Sequence, residues 1–192
     1  MNPVLVVAAV RQELGPFLKN GRGSAQVLFT GMGRRRAGEA VRKALAQSSY
    51  RCVISAGFCS GIQQDAWTGD LVVASEVIEA QSGRRWQADG AVTRLKGPFR
   101  VGSFLTVDRL MGDPEAKKEA ARRFGAIGVE MESSAVAAAA SEAGVPWVAI
   151  RAILDPVGVK VSIGSWFYFL RTMRAASRSL AQGLAGIIPQ ME

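Results

Sequence analysis

The chain has 192 residues, 48% of them hydrophobic and 21% charged, with a net charge of +8 and no histidine. The missing histidine removes Ser-His-Asp and Cys-His catalysis, the HExxH metal site and the usual neutral-pH proton carrier. No apolar run is long enough to span a membrane, and the length suits one well-buried domain.

In chain order, the first apolar run, Val4–Ala9, predicts a strand. It lacks a basic leader and a cleavage site, so the start reads as structure and the protein as cytoplasmic. A helix is expected over Val10–Lys19, a strand over Gln26–Thr30 and a helix over Arg34–Gln47. Strands follow at Cys52–Ala56 and Asp70–Val77. Gln81–Gly97 is polar, basic and glycine-containing, which predicts a surface loop with a short hairpin. Then come a strand at Arg100–Thr106, a helix at Pro114–Phe124 and a strand at Ala126–Met131. A helix over Ser133–Ala143 has Glu132 and Ser133 where acidic and capping residues belong, and Gly144 and Pro146 to stop it. A strand at Trp147–Ile153 and a long helix near Ser162–Ala185 complete the chain. Strands alternating with helices, and apolar on both faces, predict an α/β fold with a parallel or mixed sheet. No linker divides residues 1–192, so a single domain is expected.

The two cysteines, Cys52 and Cys59, lie in apolar or glycine-rich surroundings, which argues against a disulfide framework and against zinc. Basic clusters at Arg34–Arg36, Arg122–Arg123 and Arg171, Arg174 and Arg178 read either as anion attraction or as solvated helix faces. No nucleic-acid-binding motif accompanies them. Trp166-Phe167-Tyr168-Phe169-Leu170, followed by Arg171 and Arg174, reads as core or subunit packing, or as contact with a membrane surface or a lipid-linked nucleoside.

Without histidine, proton transfer falls to carboxylates, lysine, tyrosine, cysteine or water. Three acidic positions follow strands: Glu13 after the first, Glu130 and Glu132 either side of Met131, and Asp155 after the last. In open α/β sheets ligands collect beyond the carboxyl ends of the strands, so these acids are candidates for one acid/base site. Gly31-Met32-Gly33 lacks the third glycine of a dinucleotide loop, since position 36 is Arg36. Ala56-Gly57-Phe58-Cys59-Ser60-Gly61 reads as a loop that lets backbone approach a ligand, or as a plain turn.

Three stretches carry a family resemblance. Ser55-Ala56-Gly57-Phe58-Cys59-Ser60-Gly61 with Thr68-Gly69-Asp70-Leu71-Val72-Val73-Ala74 resembles the glycine loop and Gly-Asp strand of the nucleoside phosphorylase/nucleosidase superfamily. Val129-Glu130-Met131-Glu132-Ser133-Ser134 resembles its Met-Glu ribose motif, and Arg151-Ala152-Ile153-Leu154-Asp155 resembles its Arg-Ala-Ile-Ser-Asp segment. Within that superfamily the chain is most similar to methylthioadenosine/S-adenosylhomocysteine nucleosidases and to hopanoid-associated phosphorylases. The resemblance implies a three-layer αβα sandwich around a mixed twisted sheet, and cleavage of a purine nucleoside's N-ribosidic bond. It implies Asp155 as general acid to the purine and Glu13 as the base that activates water. It implies a ribose site of Glu132, Met131, Glu130 and Arg151, with Arg151 supporting the carboxylates. The base or nucleophile pocket would include Ala56, Gly57, Phe58, Val129, Leu110 and Leu154. It implies no metal or cofactor, a nucleoside partner and a homo-oligomer.

The chain departs from the family pattern in four places. Phe58 stands where nucleosidases usually carry a small hydroxyl residue, and Leu154 replaces the serine before the acid, with Pro156 after it. Leu110 and Met111 are aliphatic where a stacking aromatic is usual, and the stretch between Val77 and Arg100 is short. The family's phosphate loop is missing, and Glu13 would repel phosphate, so hydrolysis is favoured over phosphorolysis. With Arg11 or Arg34–Arg36 as a phosphate site, inorganic phosphate would be the co-substrate; a binding protein without turnover is the third alternative.

Overall fold

The structure is a computed structural model that describes residues 2–20, 23, 25–88, 94–158 and 166–191, the first turn of the last helix by its backbone alone. The elements run β1 (Val4–Ala8), α1 (Gly15–Lys19), β2 (Gln26–Phe29), α2 (Arg34–Gln47), β3 (Cys52–Gly61) and β4 (Leu71–Glu79). They continue with β5 (Arg85–Gln87), β6 (Arg100–Thr106), α3 (Pro114–Phe124), β7 (Gly128–Glu130), α4 (Ser133–Glu142), β8 (Trp147–Asp155) and α5 (Trp166–Ile187). A 3₁₀ turn, Ile188–Met191, follows α5. The expected start of the last helix at Ser162 and the side chains of Trp166–Phe169 lie outside the described residues.

The sheet is mixed. β1 pairs in parallel with β2 and β3, and β3 pairs in parallel with β8. β8 then meets β4 antiparallel, β4 meets β6 in parallel, and β6 meets β7 in parallel. β7 returns antiparallel to the far end of β3, so β3, β8, β4, β6 and β7 close a ring. The hairpin expected between Gln81 and Gly97 is β5 against β4; residues 89–93 are outside the description.

Period-2 alternation sorts the strand residues into layers. Val4, Val6 and Ala8 of β1, Ile54 of β3 and Ile150 of β8 face α1 and α5, packing on Phe17, Leu180 and Leu184. Their neighbours Leu5, Val7, Val53 and Ala149 face α2 and α4, packing on Val41, Val136 and Ala140. A third cluster of Ile78, Leu105, Ala120 and Val129 lies under α3. Each such fully buried Val, Leu or Ile contributes roughly 1.5–3 kcal/mol, and together they give the αβα sandwich its three layers.

Two expected elements come out differently. α1 is five residues because residues 11–14 form turns, with Glu13 N–H on Val10 O and Leu14 N–H on Arg11 O. Pro16 sits in the first turn of the helix, where its missing N–H costs nothing; inside a helix begun at Val10 it would break the ladder. The Gly57–Gly61 stretch is strand, not turn, and none of its glycines has a positive φ. Its glycines serve close approach instead: a Cβ on Gly61 would lie 3.0 Å from Ala66 Cβ and 3.1 Å from Ile153 Cγ2.

Candidate active site

Parallel β1, β3 and β8 end on the same side of the sheet, and each end delivers chemistry. A cavity of about 260 Å³ opens there. Glu13, Glu132 and Asp155 form its acidic wall, with Glu130 behind, and Phe58, Val129, Met131 and Leu154 line the rest. Leu110 sits at the rim, 82% exposed. Ala56, Gly57 and Arg151 line an adjoining narrow crevice with Glu13, Glu132 and Ser55. The sequence candidates therefore converge on one region.

Glu13 is held by two backbone donors. Val10 N–H donates to Oε2 at 3.0 Å and Phe58 N–H to Oε1 at 3.0 Å. The second bond needs Gly57, because a Cβ there would lie 2.7 Å from Oε1. Burial raises the Glu13 carboxyl above its ordinary range, opposed by those N–H groups and by Arg151.

Glu130 and Arg151 form the buried base of the site. Arg151 Nη2 donates to Glu130 Oε2 at 2.7 Å, Ser133 Oγ at 2.7 Å and Ser55 Oγ at 3.0 Å, while Nη1 donates to the Ser55 carbonyl at 2.9 Å. Glu130 also accepts from the N–H groups of Glu132 and Ser133 and from the Thr106 hydroxyl. Burial alone would raise Glu130, but Arg151, Thr106 and these N–H groups hold it below the ordinary carboxylate range. Arg151 is in turn kept charged against burial by Glu130 and Glu132. Both groups direct their hydrogen bonds at the protein, so they scaffold the expected ribose site.

This arrangement also caps α4. No side-chain bond runs from Glu132 or Ser133 to the helix's first N–H groups. Glu130 and Thr106 Oγ1 take the N–H groups of Glu132, Ser133 and Ser134 instead. An acid at a helix start is stabilised by the dipole, and here it comes from the preceding strand. The other end stops as expected. Gly144, at φ +66°, donates to Ser141 O, and Val145 donates to Ala140 O, a Schellman pair.

Freed from capping, the Glu132 side chain reaches across to Gly33 N–H at 2.7 Å. Gly33 has φ +97° and starts α2, so the Gly31-Met32-Gly33 stretch serves as a backbone donor to a carboxylate. Burial first, and the negative Glu130 second, raise the Glu132 pKa to about 7.

Asp155 ends β8. Ser60 Oγ donates to its Oδ1 at 2.9 Å, and the Lys117 ammonium ion-pairs with its Oδ2. Burial raises Asp155, opposed mainly by Lys117. Sequence reasoning missed Lys117, although a signal existed: it occupies the inward stripe of α3 with Ala120, Ala121 and Phe124, where an apolar residue belongs. Ser55 and Ser60 lie in a motif already noted, but their partners on β8 are about 95 residues away and no spacing reveals them.

The basic clusters point elsewhere. Arg34 is tied to Glu79, Asp108 and Gln81, and Arg35 to Glu39. Arg171, Arg174 and Arg178 are exposed on α5, and no helix among the described residues is long and apolar enough to cross a membrane. Cys52 and Cys59 are buried and unbridged.

The family described as the phosphorylase superfamily matches residues 15–188. A futalosine hydrolase from Acidothermus cellulolyticus is 32% identical over 162 residues, covering 70% of this chain and 66% of that protein. A 5′-methylthioadenosine/S-adenosylhomocysteine nucleosidase from Geobacillus kaustophilus is 27% identical over 191 residues, covering 86% of this chain and 81% of its own. Among solved structures, that nucleosidase from Colwellia psychrerythraea, in complex with adenine, superposes with a TM-score of 0.85 at 19% identity, covering 99% of this chain and 96% of the other. The native futalosine hydrolase of Helicobacter pylori gives 0.84 at 16% identity over 98% of each chain. These structural likenesses carry the fold, and the family match spans nearly the whole sequence: the chain belongs to the phosphorylase superfamily.

Proposed function

We propose that this chain is a purine nucleosidase that hydrolyses the N-ribosidic bond of a 5′-substituted adenosine or a related nucleoside. The observation that carries this is the meeting of Glu13, Glu132 and Asp155 on one cavity, all with pKa values raised by burial. Carboxylates with raised pKa values suit acid/base work near neutrality. Breaking the bond builds positive charge on the sugar and sends an electron pair onto the base. Glu132 beside the sugar stabilises the first, Asp155 passes a proton to the second, and Glu13 takes a proton from the attacking water.

Hydrolysis fits better than phosphorolysis because the nucleophile's crevice is lined by Glu13 as well as Arg151. A phosphate dianion there would meet a buried carboxylate. Of the cationic candidates, Arg34 and Arg35 are already paired with carboxylates. The relatives named for futalosine and for 5′-methylthioadenosine support a 5′-substituted substrate. So does the apolar wall of Met32, Phe58, Leu154 and Met173, which would receive an uncharged 5′ group.

The test is base release from adenosine, inosine, 5′-methylthioadenosine, S-adenosylhomocysteine and futalosine, each with and without phosphate. Hydrolysis without phosphate is expected, with kcat reduced about 10²–10⁴-fold in Asp155→Asn and in Glu13→Gln. A strict phosphate requirement with ribose 1-phosphate as product would make the chain a phosphorylase. Binding with no release from any substrate would remove the enzyme assignment.

A further inference from the structure

Lys117 has no part in the proposed cleavage so far, yet its ammonium is fully buried beside Asp155. It is 0% exposed, on the face of α3 that otherwise packs Ala120, Ala121 and Phe124. An ammonium buried there without a partner would cost several kcal/mol, and an alanine or leucine would pack the helix as well. Its ion-pair partner, among the described residues, is Asp155. Elsewhere on α3, Lys118 pairs with Glu115 and Arg122 with Glu119, while Arg123 lies over the Phe124 ring.

Both oxygens of Asp155 accept. Oδ1 takes the Ser60 hydroxyl hydrogen, and Oδ2 takes a hydrogen from Lys117 Nζ. Burial raises the Asp155 pKa, so it is the Lys117 ammonium that keeps this carboxyl a carboxylate between turnovers, with no proton of its own to give. Ser60 cannot supply one without becoming an alkoxide, so the proton bound for the leaving base starts on Lys117. The remaining titratable groups around the pair do not compete. Burial pushes the Cys59 thiol far up, so it stays uncharged, and Glu130 and Arg151 neutralise each other.

We propose that Lys117 is a positioning residue that holds Asp155 ionised and aligned between turnovers and is the source of the proton that Asp155 passes on; this rests on the nucleosidase assignment above. As the C–N bond breaks and its electron pair goes to the purine, a proton moves from Lys117 Nζ to Asp155 and from Asp155 to a purine ring nitrogen. Water adds its oxygen to the sugar and leaves a proton on Glu13. Lys117 is then a neutral amine and Glu13 a carboxylic acid. Solvent entering the opened cavity takes the proton from Glu13 and returns one to Lys117, so the sum is nucleoside plus water giving base plus free sugar.

The experiment has an arm that does not depend on turnover. In protein carrying ¹³C-labelled aspartate, the Asp155 carboxyl resonance, identified by its loss in Asp155→Asn, is titrated in the wild type, Lys117→Gln and Lys117→Arg. In Lys117→Gln the midpoint should move up by at least about one pH unit, and Lys117→Arg should restore it. An unmoved midpoint overturns the proposal whether or not any nucleoside is cleaved. In the kinetic arm, with 5′-methylthioadenosine, Lys117→Gln should lower kcat about 10²–10⁴-fold with KM within about threefold, and displace the pH profile. Lys117→Arg keeps the charge but holds its proton too tightly to transfer it, so kcat should stay low despite the restored midpoint. Full recovery of kcat in Lys117→Arg, or no loss in Lys117→Gln, overturns the relay. A shifted midpoint in protein that cleaves nothing supports the Lys117–Asp155 coupling and defeats the nucleosidase assignment instead.

Discussion

Glu130 and Glu132 are two residues apart, yet their surroundings give them opposite properties. Glu130 meets Arg151, Thr106 and the first N–H groups of α4, and stays charged far from solvent. Glu132 has one backbone donor, Gly33, and a negative neighbour, and its pKa rises to about 7. The lesson is that burial alone does not decide a carboxylate's state; the counter-charge beside it, and then the donors aimed at it, do. One glutamate fixes the scaffold, and the other is left to titrate near neutrality.

That contrast can be broken most severely through Arg151. Arg151→Met leaves Glu130 buried without its counter-charge, and should lower unfolding stability by about 3–5 kcal/mol in a denaturant titration. Adding Glu130→Gln to that variant should recover part of the loss. If the double variant is no better than the single one, Arg151 matters through packing and the contrast fails.

A smaller effect tests whether donor geometry controls Glu13 as well. Gly57→Ala puts a methyl 2.7 Å from Glu13 Oε1 and must displace the carboxylate from Phe58 N–H. A stability loss of about 1–3 kcal/mol is expected, with base release falling far more than the fold suffers. Full activity in this variant would show that Glu13 works without that bond.

The mildest test sharpens the contrast through pH. Glu132 keeps its proton to about pH 7 in the folded chain and loses it near 4.5 when unfolded. Between those values the native state binds more protons, so its contribution to stability is greatest below 4.5 and falls as pH rises to 7. The stability difference between wild type and Glu132→Gln should therefore decline across that window, by roughly 1–3 kcal/mol in all, and then level off. Asp155 slopes the same way in both proteins and cancels in the difference, whereas Glu13, which repels Glu132, remains part of it. A flat difference would put Glu132 among the ordinary surface acids.

Much of this site was legible because acids that follow apolar runs land at strand ends. Glu13, Glu132 and Asp155 needed only that rule, and α2 and α3 kept their predicted bounds because Gly33, Asp113-Pro114 and Gly125 punctuate them. What stayed hidden depends on contacts distant in sequence. The Gly57–Gly61 stretch looked like a turn because glycine marks turns, whereas here it makes room for Glu13 and Ile153. Glu132 looked like a helix cap, and the true cap lay two residues earlier in a buried strand. Lys117 drew no reading from the sequence, because Asp155, 38 residues on, gives it meaning.

The closed ring of β3, β8, β4, β6 and β7 has a bearing on biosynthesis. β3 emerges from the ribosome about ninety residues before β8, its parallel partner, and until β8 arrives one side of β3 has no ladder. Pairings of such long range form late and slowly. Glu13 therefore waits for Asp155, and a nascent chain cannot close this cavity until β8 is made. Amide exchange should reflect the same order, with the ring's central amides opening only on global unfolding and β2, paired on one side to β1, exchanging early.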